Sequence, residues 1–243
     1  MDDPSPHDET SVDVPSDLHL IYPDAQLAER SAAAGALRRL AHAFVRHRTD
    51  ADTLAEIAAW ADATAERLEA GSAAVPRPAD YFARRYTDPR PPDGAEVTAF
   101  SDRAFSGPAN PTAMDVDMRR HGDGVRATVT FGAAFESAPG RVHGGAACAV
   151  ADDVLGYLMV CLGIAAYTAR LEIDYRGGVP IDEPVTYLAR ETSRDGRKSH
   201  VELAVRTAGA PPDAPPLIEA AGLFVIVTAD QLADSPREAA PNG

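Results

Sequence analysis

The 243-residue chain carries 23 Lys+Arg against 37 Asp+Glu, two cysteines, 45% hydrophobic and 6% aromatic residues. That balance excludes a collagen, a disulfide-stapled module and a wholly disordered chain; the length fits one domain with extensions or two small ones. A net charge of −14 argues against nucleic acid as a partner, since that needs a basic face.

Residues 1–17 hold six acids and no Lys or Arg, and their shortage of large apolar side chains predicts a disordered acidic tail. A secretory signal would be basic and then apolar, so a cytoplasmic protein is expected. From residue 18 to 72 apolar residues recur at steps of three and four: Leu37, Leu40 and Phe44, then Leu54, Ile57, Ala61, Ala65 and Leu68. This spacing predicts a helical extension of two helices broken near Arg48–Asp52. Thr53 and Glu56 fit a capping box for the second helix, and Gly71 fits its C-cap. Residues 73–104 are Pro-rich and read as a linker or strap.

Across residues 105–229 the period changes to two. Met114, Val116 and Met118, then Val125, Ala127, Val129 and Phe131, flank the turn His121–Gly124 and predict a hairpin. The apolar run from Arg141 to Gly163 predicts a buried helix. Strand-like runs follow at Thr168–Tyr175, Val185–Arg194, Ser199–Thr207 and Leu217–Thr228, the middle pair joined by Asp195-Gly196. A sheet wrapped around one central helix is the economical arrangement, an α+β fold. Residues 230–243 read as a flexible tail. The longest charge-free stretch, Val154–Ala169, has sixteen residues, short of the ~20 of a membrane span. Cys148 and Cys161 both lie in the Arg141–Gly163 run, which suits reduced thiols better than a disulfide or a zinc site.

The densest chemical signal is Val142-His143-Gly144-Gly145, with Asp152 and Asp153 following in the same run. Two glycines at a helix start leave backbone N–H groups unshielded where the macrodipole favours negative charge, the makings of an oxyanion site. Asp152 falls within about 20° of the Gly145 face and about 10 Å further along. Asp153 is turned away by another ~100°. An acid inside an apolar helix costs several kcal/mol unless it is paired or solvated in a pocket, so Asp152 reads either as a satisfied core group or as a functional carboxylate.

His-Gly-Gly followed by an acid nine residues after the histidine, within this strand and helix order, resembles the hotdog-fold acyl-CoA thioesterases of the PaaI-like type. Thr168–Arg176 looks like the long strand after the helix in these enzymes. Glu136-Ser-Ala-Pro139-Gly140 and Asn110-Pro111 are similar to the lead-in and first strand of the subgroup with N-terminal extensions. The resemblance implies that Asp152 acts as general base or nucleophile and that Gly144 and Gly145 polarise the thioester carbonyl. It also implies that Thr168 helps to place water and that His143 fixes the loop, with Glu136 and Asn110 near the substrate. A homodimer or tetramer is implied, with acyl-CoA as substrate and no cofactor or metal. Coenzyme A phosphates would need local cations: Arg197 and Lys198, the chain's single lysine, on one turn, or Arg176. The sequence departs from the pattern at Ser137 and at Gly177-Gly178. A non-catalytic acyl-CoA binder and, ranked last, an enoyl-CoA hydratase stay open as alternatives.

Overall fold

The computed structural model describes residues 18–78, 80–81, 84, 90–211, 213–228 and 231. The tail expected over 1–17 and nearly all of that over 230–243 lie outside the described residues.

The chain begins with β1 (Leu18–Leu20), followed by α1 (Leu27–Arg46), α2 (Ala51–Gly71) and β2 (Glu96–Thr98). The hairpin β3 (Asp115–His121) and β4 (Gly124–Thr130) comes next, then α3 (Gly144–Leu162), β5 (Ala166–Tyr175), β6 (Pro184–Asp195), β7 (Lys198–Thr207) and β8 (Ile218–Ile226). β3 to β8 form one antiparallel sheet in the order β3-β4-β6-β7-β8-β5. The sheet packs around α3 in the predicted hotdog arrangement. Alternation explains it: Val201, Leu203 and Val205 of β7 are buried toward α3, while Lys198, His200 and Arg206 face away.

α3 has the length and hydropathy of a membrane span, but ten of its residues are buried in one core with the sheet. At about 1.5–3 kcal/mol per large apolar side chain, that burial outweighs the weak amphipathicity of the helix. Part of the face of α3 that the sheet leaves open is taken by the strap, while Asp152 stays exposed. β1 pairs in parallel with β2, and Tyr22 and Tyr81 stack on Phe100 at 5.1 and 5.3 Å. The Tyr157 hydroxyl of α3 donates to the Ala95 carbonyl at 3.2 Å.

Three local expectations are corrected. Leu18–Leu20 is a strand rather than the start of a helix, because β2 offers it a partner. The N-cap of α2 is Asp50, whose carboxylate accepts from the Thr53 N–H at 2.9 Å; the aspartate three residues upstream takes the role assigned to Thr53. Gly71 is the last helical residue and Ser72 the cap, its hydroxyl donating to the Leu68 carbonyl at 3.0 Å.

α1 packs by its Ser31, Ala34, Gly35 face. Arg38 donates to the carbonyls of Pro108 and Asn110 at 3.1 and 2.7 Å, and Arg46 pairs with Asp182. α2 has no buried residue.

Candidate active site

The site is built at the N-terminus of α3 and along one stripe of it. His143 is the N-cap: its Nδ1 accepts from the Gly145 N–H at 3.0 Å, which places the ring proton of the neutral imidazole on Nε2. The His143 N–H donates to the Phe135 carbonyl at 2.8 Å, anchoring the helix start to the short 3₁₀ turn Ala133–Phe135. The Tyr175 hydroxyl, at the end of β5, donates to the Gly144 carbonyl at 3.0 Å. A Cβ on Gly144 would stand 3.1 Å from the Tyr175 ring, so glycine is what lets the ring close over the helix start.

These bonds divide the two predicted donors. The Gly144–Gly145 peptide is held at both ends, its N–H by His143 and its C=O by Tyr175. The N–H left free at the tip of the helix is that of Gly144, and the first-turn dipole points along it. Of the two N–H groups expected to face the oxyanion, that of Gly145 is engaged by the cap in this conformation.

Gly144, Cys148 and Asp152 follow one another at steps of four on one stripe of α3. Asp152 is exposed, which fits the functional carboxylate better than the satisfied core group, and its Oδ1 accepts from the Thr168 hydroxyl at 3.1 Å. Thr168 faces α3 because it pairs with the inward-facing Phe224. A register shift follows between Thr168 and Arg170, and a bulge beside a site re-aims side chains in this way. Burial, with the Asp152 charge added, pushes the Cys148 thiol up, so it stays protonated and is no nucleophile. Burial likewise raises Tyr175, which keeps its proton for the bond to Gly144.

Eight residues of helix separate Gly144 from Asp152, about 12 Å of rise. A reacting carbonyl must sit about 3 Å from both its oxyanion donor and its attacking group. One α3 therefore presents both groups to the same side without bringing them to the same atom.

The remaining predicted residues lie elsewhere. The Glu136 carboxylate accepts from the Gly140 N–H at 2.5 Å and staples its own turn. Asn110 holds its loop, donating to the Arg103 carbonyl at 3.1 Å and accepting from the Thr112 N–H at 2.9 Å. Arg176 is paired with Glu219 at 2.9 Å and Asp174 at 3.1 Å. Arg197 donates to the Ile226 carbonyl at 2.9 Å, and Lys198 projects from the sheet face opposite α3. That face carries a groove of 1260 Å³ whose lining mixes Glu172, Asp174, Glu202 and Glu219 with Arg190 and Arg206, the four acids being paired with Arg170, Arg176 and Arg190.

Sequence reasoning missed Tyr175, Cys148 and His42. His42 of α1 accepts through Nδ1 from the Ala134 N–H at 3.1 Å and stacks edge-on against Phe135. A Cβ at Gly132 would lie 2.5 Å from its ring. The helical stripe of Gly144, Cys148 and Asp152 was readable from spacing; the partners from α1 and the end of β5 have no local signal.

A crystal structure of a thioesterase superfamily protein superposes with a TM-score of 0.68 at 30% sequence identity, over 84% of this chain and 92% of that one. This chain belongs to the thioesterase superfamily. The superfamily's sequence pattern matches residues 139–210, from the turn before His143 to the end of β7. A hypothetical thioesterase of Streptococcus pneumoniae, crystallised with coenzyme A, is similar at 16% identity over 46% of this chain and 89% of its own, TM-score 0.42. The PaaI protein of the E. coli phenylacetic acid degradation operon is similar at 16% identity over 46% and 80%, TM-score 0.42. No curated protein matches the sequence. A match over 84% of the chain necessarily takes in part of the N-terminal extension.

Proposed function

We propose that this member of the thioesterase superfamily hydrolyses acyl-CoA thioesters to a free acid and coenzyme A. The observation that carries the reading is Asp152, the exposed one of the two carboxylates on an apolar helix, oriented by the Thr168 hydroxyl. In the reaction Asp152 takes a proton from water as the water oxygen bonds to the thioester carbon. The Gly144 N–H donates to the carbonyl oxygen as negative charge develops on it. The C–S bond then breaks, and the proton on Asp152 passes to the departing CoA thiolate. His143 and Tyr175 hold the peptide behind Gly144, and Thr168 holds the carboxylate. The reaction so drawn uses the chain's own groups and water.

The ~12 Å along α3 between Gly144 and Asp152 supports a homodimer. β5 is an edge strand of the sheet, and an exposed edge is a template for pairing with a second chain. Two copies joined there would set the Gly144 of one against the Asp152 of the other.

The test is thiol release from a panel of acyl-CoAs. Asp152→Ala and Asp152→Asn are expected to lower turnover by about 10²-fold or more while leaving the melting temperature unchanged. Folded variants with wild-type turnover would overturn the assignment. Tight acyl-CoA binding by the wild type without turnover would instead identify a carrier or sensor that uses the same fold.

A further inference from the structure

The chain leaving β5 wraps past the start of α3 and meets it at three points. The Tyr175 hydroxyl donates to the Gly144 carbonyl at 3.0 Å, the Val142 N–H to the Val179 carbonyl at 2.9 Å, and Arg141 Nη1 to the Gly178 carbonyl at 3.0 Å. The Arg141 side chain lies against Gly178: a Cβ there would stand 2.5 Å from Arg141 Cδ and 2.7 Å from its Nε. Gly178, the second glycine of the pair at which the sequence departs from the resembled pattern, leaves the room that this side chain needs. Three residues separate Gly178 from Tyr175, no more than about 11 Å of extended chain. The guanidinium therefore stands at the rim of the helix start.

Arg141 differs from the other cations on this side of the molecule. Arg176 is paired with Asp174 and Glu219, and Arg46 with Asp182. Arg141 is exposed and has no ion pair among the described residues, and Glu136, the acid of its own turn, is engaged by the Gly140 N–H. A guanidinium carries five N–H donors in a planar fork, and the bond to Gly178 uses one of them. A charge fixed by a backbone carbonyl, with most of its fork open, is preorganised for an anion. The dipole of α3 adds positive potential at the same end.

We propose that Arg141 binds a phosphate of the coenzyme A moiety while the thioester carbonyl sits at the Gly144 N–H. The assignment rests on the acyl-CoA reading and follows from the build of that substrate. A flexible pantetheine arm separates the phosphates from the thioester, so their partner belongs at the rim and not at the reacting atoms. Phosphate takes an arginine fork in two parallel N–H···O bonds, and the Gly178 contact leaves the donors for them. In a chain of net charge −14 an anionic substrate depends on such a local cation.

Two readouts on the full chain test the assignment. In titration calorimetry with coenzyme A, Arg141→Met is expected to weaken binding about 10-fold, and wild-type affinity to fall more steeply with salt than that of the variant. In thiol release, the ratio of kcat/KM for an acyl-CoA to kcat/KM for the same acyl group on pantetheine, which has no phosphate, is expected to fall about 10-fold as well. A mere staple between Gly178 and the helix start would lower both substrates in proportion, so an unchanged ratio overturns the proposal. Absence of coenzyme A binding by the wild type overturns it too. Arg141→Lys keeps the charge and is expected to recover part of the affinity; a lysine variant as weak as the methionine one would place the effect in packing and also overturn it. Failure here and failure of the hydrolase reading are separable. Weakened coenzyme A binding by Arg141→Met in a protein that hydrolyses no acyl-CoA keeps the phosphate site and removes the hydrolase, whereas thiol release with no dependence on Arg141 does the reverse.

Discussion

Asp152 and Asp153 are consecutive residues of one helix with opposite surroundings. Asp152 looks out from α3 with a single hydroxyl on one oxygen. Asp153, about 100° around the helix, lies under the strap. There Arg103 meets one of its oxygens at 2.5 Å and the Ser106 hydroxyl the other at 2.6 Å, with both charged side chains less than one-fifth exposed. Glu96 stands 3.9 Å from the same guanidinium. What separates the two acids is what the chain lays over them. A carboxylate held by a cation and a hydroxyl has a structural task, whereas an open one can meet water and a ligand.

The largest effect that would break this contrast is in stability. Asp153→Ala leaves Arg103 buried without its nearest counter-charge, and we expect a loss of about 3–5 kcal/mol in denaturant unfolding. Asp152→Ala is expected to stay within about 0.5 kcal/mol of wild type. Replacing the pair together, Asp153→Leu with Arg103→Met, should recover most of the loss below about pH 7, where Glu96 keeps its proton and no charge remains unpartnered. Equal unfolding curves for Asp152→Ala and Asp153→Ala would show that the strap contributes no more than open solvent does.

Glu96 sharpens the closed side. One guanidinium neutralises one carboxylate, and Arg103 gives its shorter contact to Asp153. Burial then pushes the Glu96 carboxyl up from 4.5 to about 7, against the pull of Arg103. Because the folded state holds this proton where the unfolded chain has released it, stability should fall as pH rises from about 4.5 to about 7. Glu96→Gln carries the same neutral shape at every pH. Its stability should match wild type near the acid end of that window and exceed it at pH ~8, as read from denaturation midpoints across pH. A variant that parallels wild type throughout would mean that Glu96 is ionised in the folded chain.

The contrast also marks how far the sequence could be read. The strands and α3 were legible because their periods are local: Val201, Leu203 and Val205 alternate, and the glycines before α3 announce its start. The approximate 100° between Asp152 and Asp153 followed from helix geometry, but which of them lay under cover did not, because Arg103 is fifty residues away from Asp153. Distance along the chain likewise hid the Tyr175 bond to Gly144 and the β1–β2 pair. Glu136 and Asn110 sit in polar loops where a capping and a ligand-binding role look alike in one dimension, and their bonds go to backbone of their own loops. The bond from the Gly145 N–H to His143 was not legible because an N-capping histidine has no distinctive spacing.

The smallest expected effect concerns how the open side is kept in shape. His42 reaches the Ala134 N–H from α1, Phe135 accepts from the His143 N–H, and His143 caps Gly145. Burial, with Arg46 and Arg38 nearby, lowers the His42 pKa, so the ring is neutral and its Nδ1 free to accept. A depressed histidine makes the folded state bind fewer protons than the unfolded chain below about pH 6.5, so this contribution to stability fades as pH falls through that region. The slope is opposite in sign to that of Glu96, which lets single variants separate the two. His42→Ala removes the acceptor for one turn N–H and is expected to cost about 1 kcal/mol, the scale of a lost cap. If the turn positions His143, thiol release should lose severalfold in kcat with KM little changed. His42→Asn, whose amide oxygen can reach a neighbouring N–H, should restore kcat while abolishing the acid-side slope. A loss of stability with kcat untouched would confine His42 to holding α1 in place, and the open face of α3 would then owe its geometry to His143, Thr168 and Tyr175 without His42.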